Sequence, residues 1–170
     1  MKNTLLLVMM LISNWNYAQT KSKYENLDLK IKEIEILFNQ KNNNLLADYF
    51  CPKMVNYVGG KDSVAVVLNE ISAVIETNKI TRYKFSFGKH SKIVQSDDEL
   101  QCTIPLITEL ENNEFVVVTE AALLLFSNDD GKSWCLAFPP DDEDLEYNEL
   151  LNLSKKIVIP EIKQKVTDKK

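Results

Sequence analysis

The chain has 170 residues, of which 45% are hydrophobic and 26% are charged, as is typical of a globular protein. Its net charge of −5 argues against a nucleic-acid-binding protein, because such proteins contact phosphates through a basic surface. The sequence contains one histidine, and its three cysteines lack the spacing of zinc ligands, so we predict no metal and no cofactor.

The N-terminal residues 1–18 are predicted to be a signal peptide. Lys2 gives a positively charged start, and the apolar run from Leu5 to Ile12 is far too short to cross a bilayer, which takes about 20 residues. Ala18 supplies the small residue expected at a cleavage site. We therefore expect a protein that is exported to the periplasm or the extracellular space, without a membrane span. An N-terminal core helix is the alternative.

Two helices are predicted to begin the mature chain. Between Lys21 and Gln40, apolar residues recur with helical spacing. They are Leu27, Ile31, Ile34 and Phe38. A second, short helix follows, with Asn43 or Asn44 as its N-cap, and Cys51-Pro52 closes it because the residue before a proline disfavours helical geometry.

The next segment is predicted to contain a short strand, a turn and a third helix. Met54 to Val58 has the composition of the strand, and Gly59-Gly60 makes the turn. Asp62 or Ser63 can cap the helix, which is expected to reach about Glu76.

The remaining segments alternate with a period of two, which indicates strands. They begin with RYKFSF (82–87) and continue with residues 100–110, 115–127 and 132–138, joined by the turn-rich stretches QSDD, ENNE and NDDG. We predict an antiparallel meander in a four-to-five-stranded sheet. Helices followed by such a sheet define the fold class α+β.

We predict the register of the strands from one residue pair at each of the three turns. The pairs are Val94 with Glu99, Glu111 with Glu114, and Ser127 with Lys132. Paired residues share a face of the sheet, and one face is then almost wholly apolar. It collects Tyr83, Phe85, Phe87, Ile93, Leu100, Cys102, Ile104, Leu106, Leu110, Phe115, Val117, Leu123, Leu125, Trp134, Leu136 and Phe138. We expect this face to form the core beneath the helices.

The opposite face mixes polar and apolar side chains. His90, Gln101, Thr103 and Glu120 share it with Pro105, Ile107, Val116, Val118, Leu124 and Phe126. An apolar component of this size on the outer side of a sheet suggests that a partner covers it. We therefore expect a homodimer through this face.

The stretch SNDDGKSW, Ser127 to Trp134, fits the Asp-box motif of sialidase-type propellers, with Ser133 in place of threonine. A propeller repeats its unit at a period of about 40–50 residues, and this chain has one copy. Asp129 and Asp130 can accept backbone hydrogen bonds, and Gly131 supplies a positive φ. We interpret the motif as a hairpin turn and not as part of a glycosidase.

His90 is the one side chain whose ordinary pKa lies near neutrality. Glu120 shares its predicted face but lies two strands away, so we interpret His90 as a surface residue and not as half of a catalytic pair.

Cys102 and Cys135 would flank the strand 115–127 with Cα atoms about 9–10 Å apart, beyond disulfide reach. A bond between Cys51 and Cys102 is open, but we favour three separate buried thiols.

The C-terminal residues 141–170 are predicted to be a charged extension of the domain at 21–140. Six acidic residues lie between Asp141 and Glu149, and six lysines lie between Lys155 and Lys170. We interpret both segments as solvated surface that attracts one another rather than as a partner-binding tail.

The order of these elements resembles the nuclear transport factor 2-like superfamily, which includes the SnoaL-like proteins. The stretch NNNLLADYFCPKMVNYVGGKDSVAVVLNEI is similar to its opening helix, strand, glycine turn and helix. Ile104 to Phe138 is similar to the closing hairpins of small exported bacterial members without an assigned role. The resemblance covers about residues 24–140 and implies a cone in which N-terminal helices and a curved antiparallel sheet enclose a pocket.

Members of this superfamily are either enzymes, such as ketosteroid isomerase and polyketide cyclases and dehydratases, or binding proteins. The enzymes place Asp, His or Tyr inside the cone. The concave face predicted here offers no carboxylate, so we carry over no catalytic residue and expect an exported module that binds a small apolar ligand or a protein. The candidate pocket residues are Tyr57, Tyr83, Thr108, Thr119 and Trp134. The alternative is an isomerase, dehydratase or cyclase that uses a helix-borne carboxylate, Asp48 or Glu70.

Overall fold

The computed structural model describes residues 24–141 and 143–169, and in that part of the chain the main helices precede the sheet. The helices are α1 (Glu25–Asn39), α2 (Asn43–Leu46) with a 3-10 turn at Ala47–Tyr49, α3 (Pro52–Tyr57), α4 (Lys61–Thr77) and α5 (Leu145–Leu151). The strands are β1 (Arg82–Phe87), β2 (Val94–Ser96), β3 (Glu99–Glu111), β4 (Phe115–Ser127), β5 (Cys135–Ala137) and β6 (Lys163–Asp168). The fold is α+β, with helices against a curled antiparallel sheet, as predicted. The predicted signal peptide lies outside the described residues.

Helix α1 confirms the apolar stripe read from the sequence. Leu27 and Ile34 are fully buried, and Ile31 and Phe38 pack against the same core. The helix ends at Asn39, and Lys41 follows in a left-handed conformation with φ 53°. The amide of Asn42 then donates to the carbonyl of Leu37, which satisfies one of the free carbonyls of the last turn.

The region of α2 and α3 differs from the prediction in two ways. The N-cap of α2 is Asn42, whose side chain accepts from the amide of Leu45, and not Asn43 or Asn44. The strand predicted at Met54–Val58 is wrong, because these residues belong to α3 and the turn after it. Pro52 is the reason: its fixed φ ends the preceding turn but is suited to the first position of a new helix.

The sheet is organised around the long hairpin of β3 and β4, each 13 residues long. Along one side of β3, β1 pairs with its C-terminal half and β2 with its N-terminal end. Along the far side of β4, β6 pairs with the N-terminal half and β5 with the C-terminal end. Each long strand therefore has different neighbours along its two halves, in a six-stranded sheet.

Three predicted pairings are displaced by two residues. Val94 pairs with Gln101 instead of Glu99, and Glu111 pairs with Val116 instead of Glu114. The third predicted pair, Ser127 with Lys132, is displaced in the same direction, because Phe126 on β4 pairs with Cys135 on β5. The connections are longer than predicted, but a shift of two residues leaves every side chain on its own face. The predicted core face is therefore confirmed although the predicted pairs are wrong.

The core lies between that face and the helices. Its fully buried sheet residues include Cys102, Ile104, Leu123, Leu125 and Leu136. Helix residues Leu27, Ile34, Leu46, Val64 and Leu68 pack against them. The segment before α3 joins the two layers, because the amide of Cys51 donates to the carbonyl of Leu136 over 2.7 Å.

A disulfide between Cys51 and Cys135 fixes the same junction, with a Cα–Cα distance of 4.9 Å. The expectation of three separate thiols is therefore wrong, and Cys102 is the cysteine that stays free and buried. The sequence could not reveal this pairing, because 84 residues separate the two positions and only the packing of the helices on the sheet brings them together.

The outer face of the sheet is covered in part by the chain itself. The side chain of Gln101 is 1% exposed; its amide nitrogen donates to the carbonyl of Asn152, and its oxygen accepts from the amide of Ser154. Thr103 donates to the carbonyl of Val158. At this end of the sheet, the outer face is therefore covered by the C-terminal extension, whereas the sequence analysis expected a partner there. Further along the extension, β6 pairs with β4 and adds a strand to the sheet.

Within the described residues, no helix is long and apolar enough to span a bilayer. In the same part of the chain, no group of three or more His, Cys, Asp or Glu side chains is arranged to hold a metal ion.

Candidate functional site

An apolar cleft of about 270 Å³ lies between α4 and the concave face of the sheet. We call it the apolar cleft. Its walls are Phe38 from α1, Leu68, Ile71 and Ile75 from α4, Phe85 from β1, Leu106, Thr108 and Leu110 from β3, and Phe138 after β5. Eight of these nine side chains are apolar, and Thr108 contributes a hydroxyl group.

The cleft is closed at its base and open along α4. Leu68, Ile75 and Phe85 are buried, whereas Ile71 is 45% exposed. The side chains from α4 recur at positions 68, 71 and 75, so they project from one side of that helix towards the sheet. Ile71 is therefore the exposed residue at the edge of the cleft, and the buried residues form its inner wall.

Thr108 is the candidate pocket residue that lines the cleft directly. In the sheet it stands between Phe85 on β1 and Thr119 on β4, and all three side chains share the concave face. Thr119 lies next to the cleft rather than in its wall, and its hydroxyl lies 3.5 Å from the side-chain nitrogen of Gln164 on β6.

Tyr83 also lies beside the cleft. Its ring centroid is 6.1 Å from that of Phe85, and its hydroxyl donates to the carbonyl of Asn39 over 3.2 Å. The ammonium group of Lys41 lies 4.7 Å from the centre of the Tyr83 ring. Tyr83 therefore connects the sheet to the end of α1, and its ring attracts the Lys41 ammonium group.

Tyr57 lies away from the cleft, at the end of α3. Its hydroxyl donates to the carboxylate of Asp144 over 2.9 Å, and its ring centroid lies 5.0 Å from that of Tyr147 on α5. The hydrogen bond to Asp144 raises the pKa of Tyr57 above its usual value. This residue attaches the C-terminal helix to the helical layer.

Trp134 lies in the turn between β4 and β5, where its ring packs edge-on against Tyr24. Its indole nitrogen donates to the carbonyl of Gly131 over 3.2 Å. Asp129 organises the same turn by accepting from the amide and hydroxyl of Ser133 and from the hydroxyl of Ser127. The interpretation of SNDDGKSW as a hairpin turn is confirmed.

The two carboxylates considered for catalysis lie outside the cleft wall. Asp48 forms an ion pair with Lys61, and Glu70 projects to solvent from α4. His90 lines a different cleft, of about 610 Å³, between α1 and the segment that follows β1. Glu120 is paired across the sheet with Ile107 and Lys163. The structure therefore brings none of these four groups into the lining of the apolar cleft.

The remaining nucleophile of interest, Cys102, is inert. Its side chain is fully buried on the core face, and this burial raises the pKa of the thiol to about 12. Because the thiolate is the reactive form, Cys102 is unsuited to nucleophilic chemistry at neutral pH.

Several cleft residues were not named as site candidates from the sequence. Ile71, Ile75 and Phe138 are the main examples. The helical spacing of Leu68, Ile71 and Ile75 is a signal that could have marked one wall. Only the tertiary structure shows that the sheet does not close completely against this helix.

The fold and the cleft define a class of protein in which a helical layer and a curled sheet enclose an apolar recess. Neither a protein-family model nor a curated protein matches the chain. Among solved structures, the chain is similar to the "Putative Scytalone Dehydratase" of Novosphingobium aromaticivorans, with 13% identity and a TM-score of 0.41. The similarity covers 80% of this chain and 83% of that one. At this distance, function must be argued from the cleft itself.

Proposed function

We propose that this protein is an exported binding module of the nuclear transport factor 2-like superfamily and that it holds a small apolar ligand in the apolar cleft. The observation that carries the proposal is the cleft lining of eight apolar side chains and one hydroxyl. Binding would remove the apolar surface of the ligand and that of the cleft lining from water. The hydroxyl group of Thr108 would orient the ligand through one hydrogen bond.

Export is supported by two features of the chain. The N-terminal residues have the pattern of a signal peptide, and the Cys51–Cys135 disulfide belongs to the kind of bond that persists in oxidising compartments. The protein would then meet its ligand in the periplasm or outside the cell.

The positions of Asp48 and Glu70, the two carboxylates considered for catalysis, favour binding over catalysis by either of them. A general base must lie within hydrogen-bonding reach of its substrate, directly or through one water molecule. Asp48 is engaged by Lys61 and Glu70 faces solvent, so neither meets this condition for a ligand in the apolar cleft.

We further propose that the protein forms a homodimer through the part of the outer face that lies beyond Gln101 and Thr103. Ile107, Val116 and Val118 are half-buried there, among charged neighbours such as Glu109 and Lys165. A second copy would cover these apolar side chains.

The binding proposal is tested with a neutral aromatic probe, 2-naphthamide, by isothermal titration or by its fluorescence. Ile71→Gln places a polar group at the open side of the cleft and is expected to weaken binding about threefold to tenfold. Val66→Gln is the matched control, because Val66 is a similarly exposed aliphatic residue of α4 that does not line the cleft. Equal effects of both substitutions, or no binding by the unmodified protein, would refute the proposal. Native mass spectrometry of the purified protein would report any retained ligand.

A further inference from the structure

A second, smaller cavity beside the apolar cleft has Lys41 in its lining. This small cavity of about 20 Å³ is large enough for one water molecule. The two spaces share the walls Phe38, Leu68, Ile71, Ile75 and Phe85. The small cavity is lined in addition by Lys41, Asn43 and Ser72. A ligand in the cleft therefore has a polar region at one end of its site.

Of these three polar groups, Lys41 is the one with a replaceable partner. The amide nitrogen of Asn43 donates to Asn69 and Ser72, and the hydroxyl of Ser72 donates to the carbonyl of Leu68. Asn43 and Ser72 are therefore satisfied by neighbours that belong to the fold. The ammonium of Lys41 pairs instead with Glu76 over 3.4 Å, and the Glu76 side chain is 73% exposed.

An exposed ion pair of this kind contributes little, because water solvates both ions and the side chains lose entropy when they pair. Exchange of the Glu76 carboxylate for a ligand carboxylate would therefore cost little. Lys41 itself is 27% exposed and rests on the ring of Tyr83, which keeps the ammonium near the cleft when Glu76 is displaced.

From this arrangement we infer that the ligand is a small amphiphilic anion, with an apolar body in the cleft and a carboxylate or similar group on Lys41. The inference rests on the proposed function. The volume sets the size of the body: a 150 Å³ apolar cavity accepts benzene, so about 270 Å³ accepts a ligand of about two rings, or one ring with a short chain.

The test compares 2-naphthoate with 2-naphthamide, which have the same apolar body and differ in charge. The unmodified protein is expected to bind the naphthoate about fivefold to tenfold more tightly, with a difference that shrinks as salt is added. Lys41→Met is expected to abolish this preference, because it weakens naphthoate binding far more than naphthamide binding.

Lys79→Met is the matched control, because Lys79 follows α4 in the same left-handed conformation, with φ 53°, but does not line either cavity. This variant is expected to retain the preference for the anion. Glu76→Gln removes the competing carboxylate and is expected to strengthen naphthoate binding about twofold to threefold.

Two outcomes would overturn the inference, and they are distinguishable. Equal affinities for the two probes, or an anion preference that survives Lys41→Met, would reject the role of Lys41 and leave the apolar binding site intact. Binding of neither probe would reject the proposed function together with the inference.

Discussion

Asp129 illustrates how a single side chain holds one of the turns of the sheet. Its carboxylate accepts three hydrogen bonds from Ser133 and Ser127 across the connection between β4 and β5. These bonds, chiefly the one from the Ser133 side chain, lower the pKa of Asp129 to about 2, from an ordinary value of 3.8.

The lowered pKa leads to a prediction about acid stability. Because the folded-state pKa is depressed, the contribution of Asp129 is fully present above about pH 3.8 and is lost as the pH falls towards 2. Asp129→Asn is expected to lower the melting temperature at neutral pH by a few degrees and to flatten its dependence on pH between 4 and 2. Thermal unfolding followed by circular dichroism at a series of pH values measures both effects.

Asp130→Asn is the control for this experiment, since Asp130 is the adjacent, exposed residue of the same turn. It is expected to leave the acid dependence almost unchanged. If the two variants responded to pH alike, the network around Asp129 would not be the cause.

Gln101 shows the same principle on the outer face, where a buried amide joins β3 to the C-terminal segment. Gln101→Met would leave the amide of Ser154 and the carbonyl of Asn152 without their partner, at a cost of about 1–3 kcal/mol in the free energy of unfolding. Urea denaturation measures the loss. Gln95→Met, at an exposed position on β2, is the matched control and is expected to change stability by less than about 0.5 kcal/mol. Similar losses of stability in the two variants would show that the hydrogen bonds of the buried Gln101 amide do not stabilise the protein.

At the scale of elements, the junction between the helical layer and β5 depends on the Cys51–Cys135 disulfide. A bond that closes a loop across 84 residues is expected to stabilise the protein by roughly 4–5 kcal/mol through the unfolded-state entropy. Urea unfolding with and without a strong reductant measures this difference.

Thiol counting provides the accompanying check. In denaturant without a reductant, one thiol, that of Cys102, should react, and after reduction all three cysteines should react. Three reactive thiols in the unreduced protein would contradict the disulfide. A Cys102→Ala variant that shows no reactive thiol before reduction would identify the free cysteine.

The helices and strands differ in how well the sequence specified them. Helix α1 and strands β1, β3 and β4 were predicted within a few residues, because their apolar periodicities are long and unbroken. The segment Met54–Val58 was misassigned because five residues are too few to distinguish a helical from a strand period. Strand β6 was not predicted, because its side chains are exposed and its lysines resemble a solvated tail.

At the scale of the whole molecule, the homodimer proposal can be tested through Ile107. Ile107→Lys introduces a positive charge that can pair with Glu120, its cross-strand neighbour in the same subunit. In an apolar dimer interface, burial of this charge would destabilise the dimer. Sedimentation velocity at tens of micromolar is expected to give a dimer for the unmodified protein and a monomer for this variant. Leu29→Lys, at an exposed position on α1, should remain a dimer. A strict monomer for the unmodified protein would reject the proposal.

The sequence by itself determined the fold class and the core face of the sheet. Alternation along a strand assigns each side chain to a face, and an error of two residues in a pairing does not change that assignment. For the same reason Thr108 could be placed on the concave face before the structure was known.

Only the tertiary structure decided which residues meet across the layers. The Cys51–Cys135 disulfide and the hydrogen bonds of Gln101 with Asn152 and Ser154 join segments that are distant in the chain. The apolar cleft beneath α4 is likewise lined by distant segments. Local periodicity carries no information about such contacts, because they are fixed by how the helices and the C-terminal segment pack against the sheet as whole bodies.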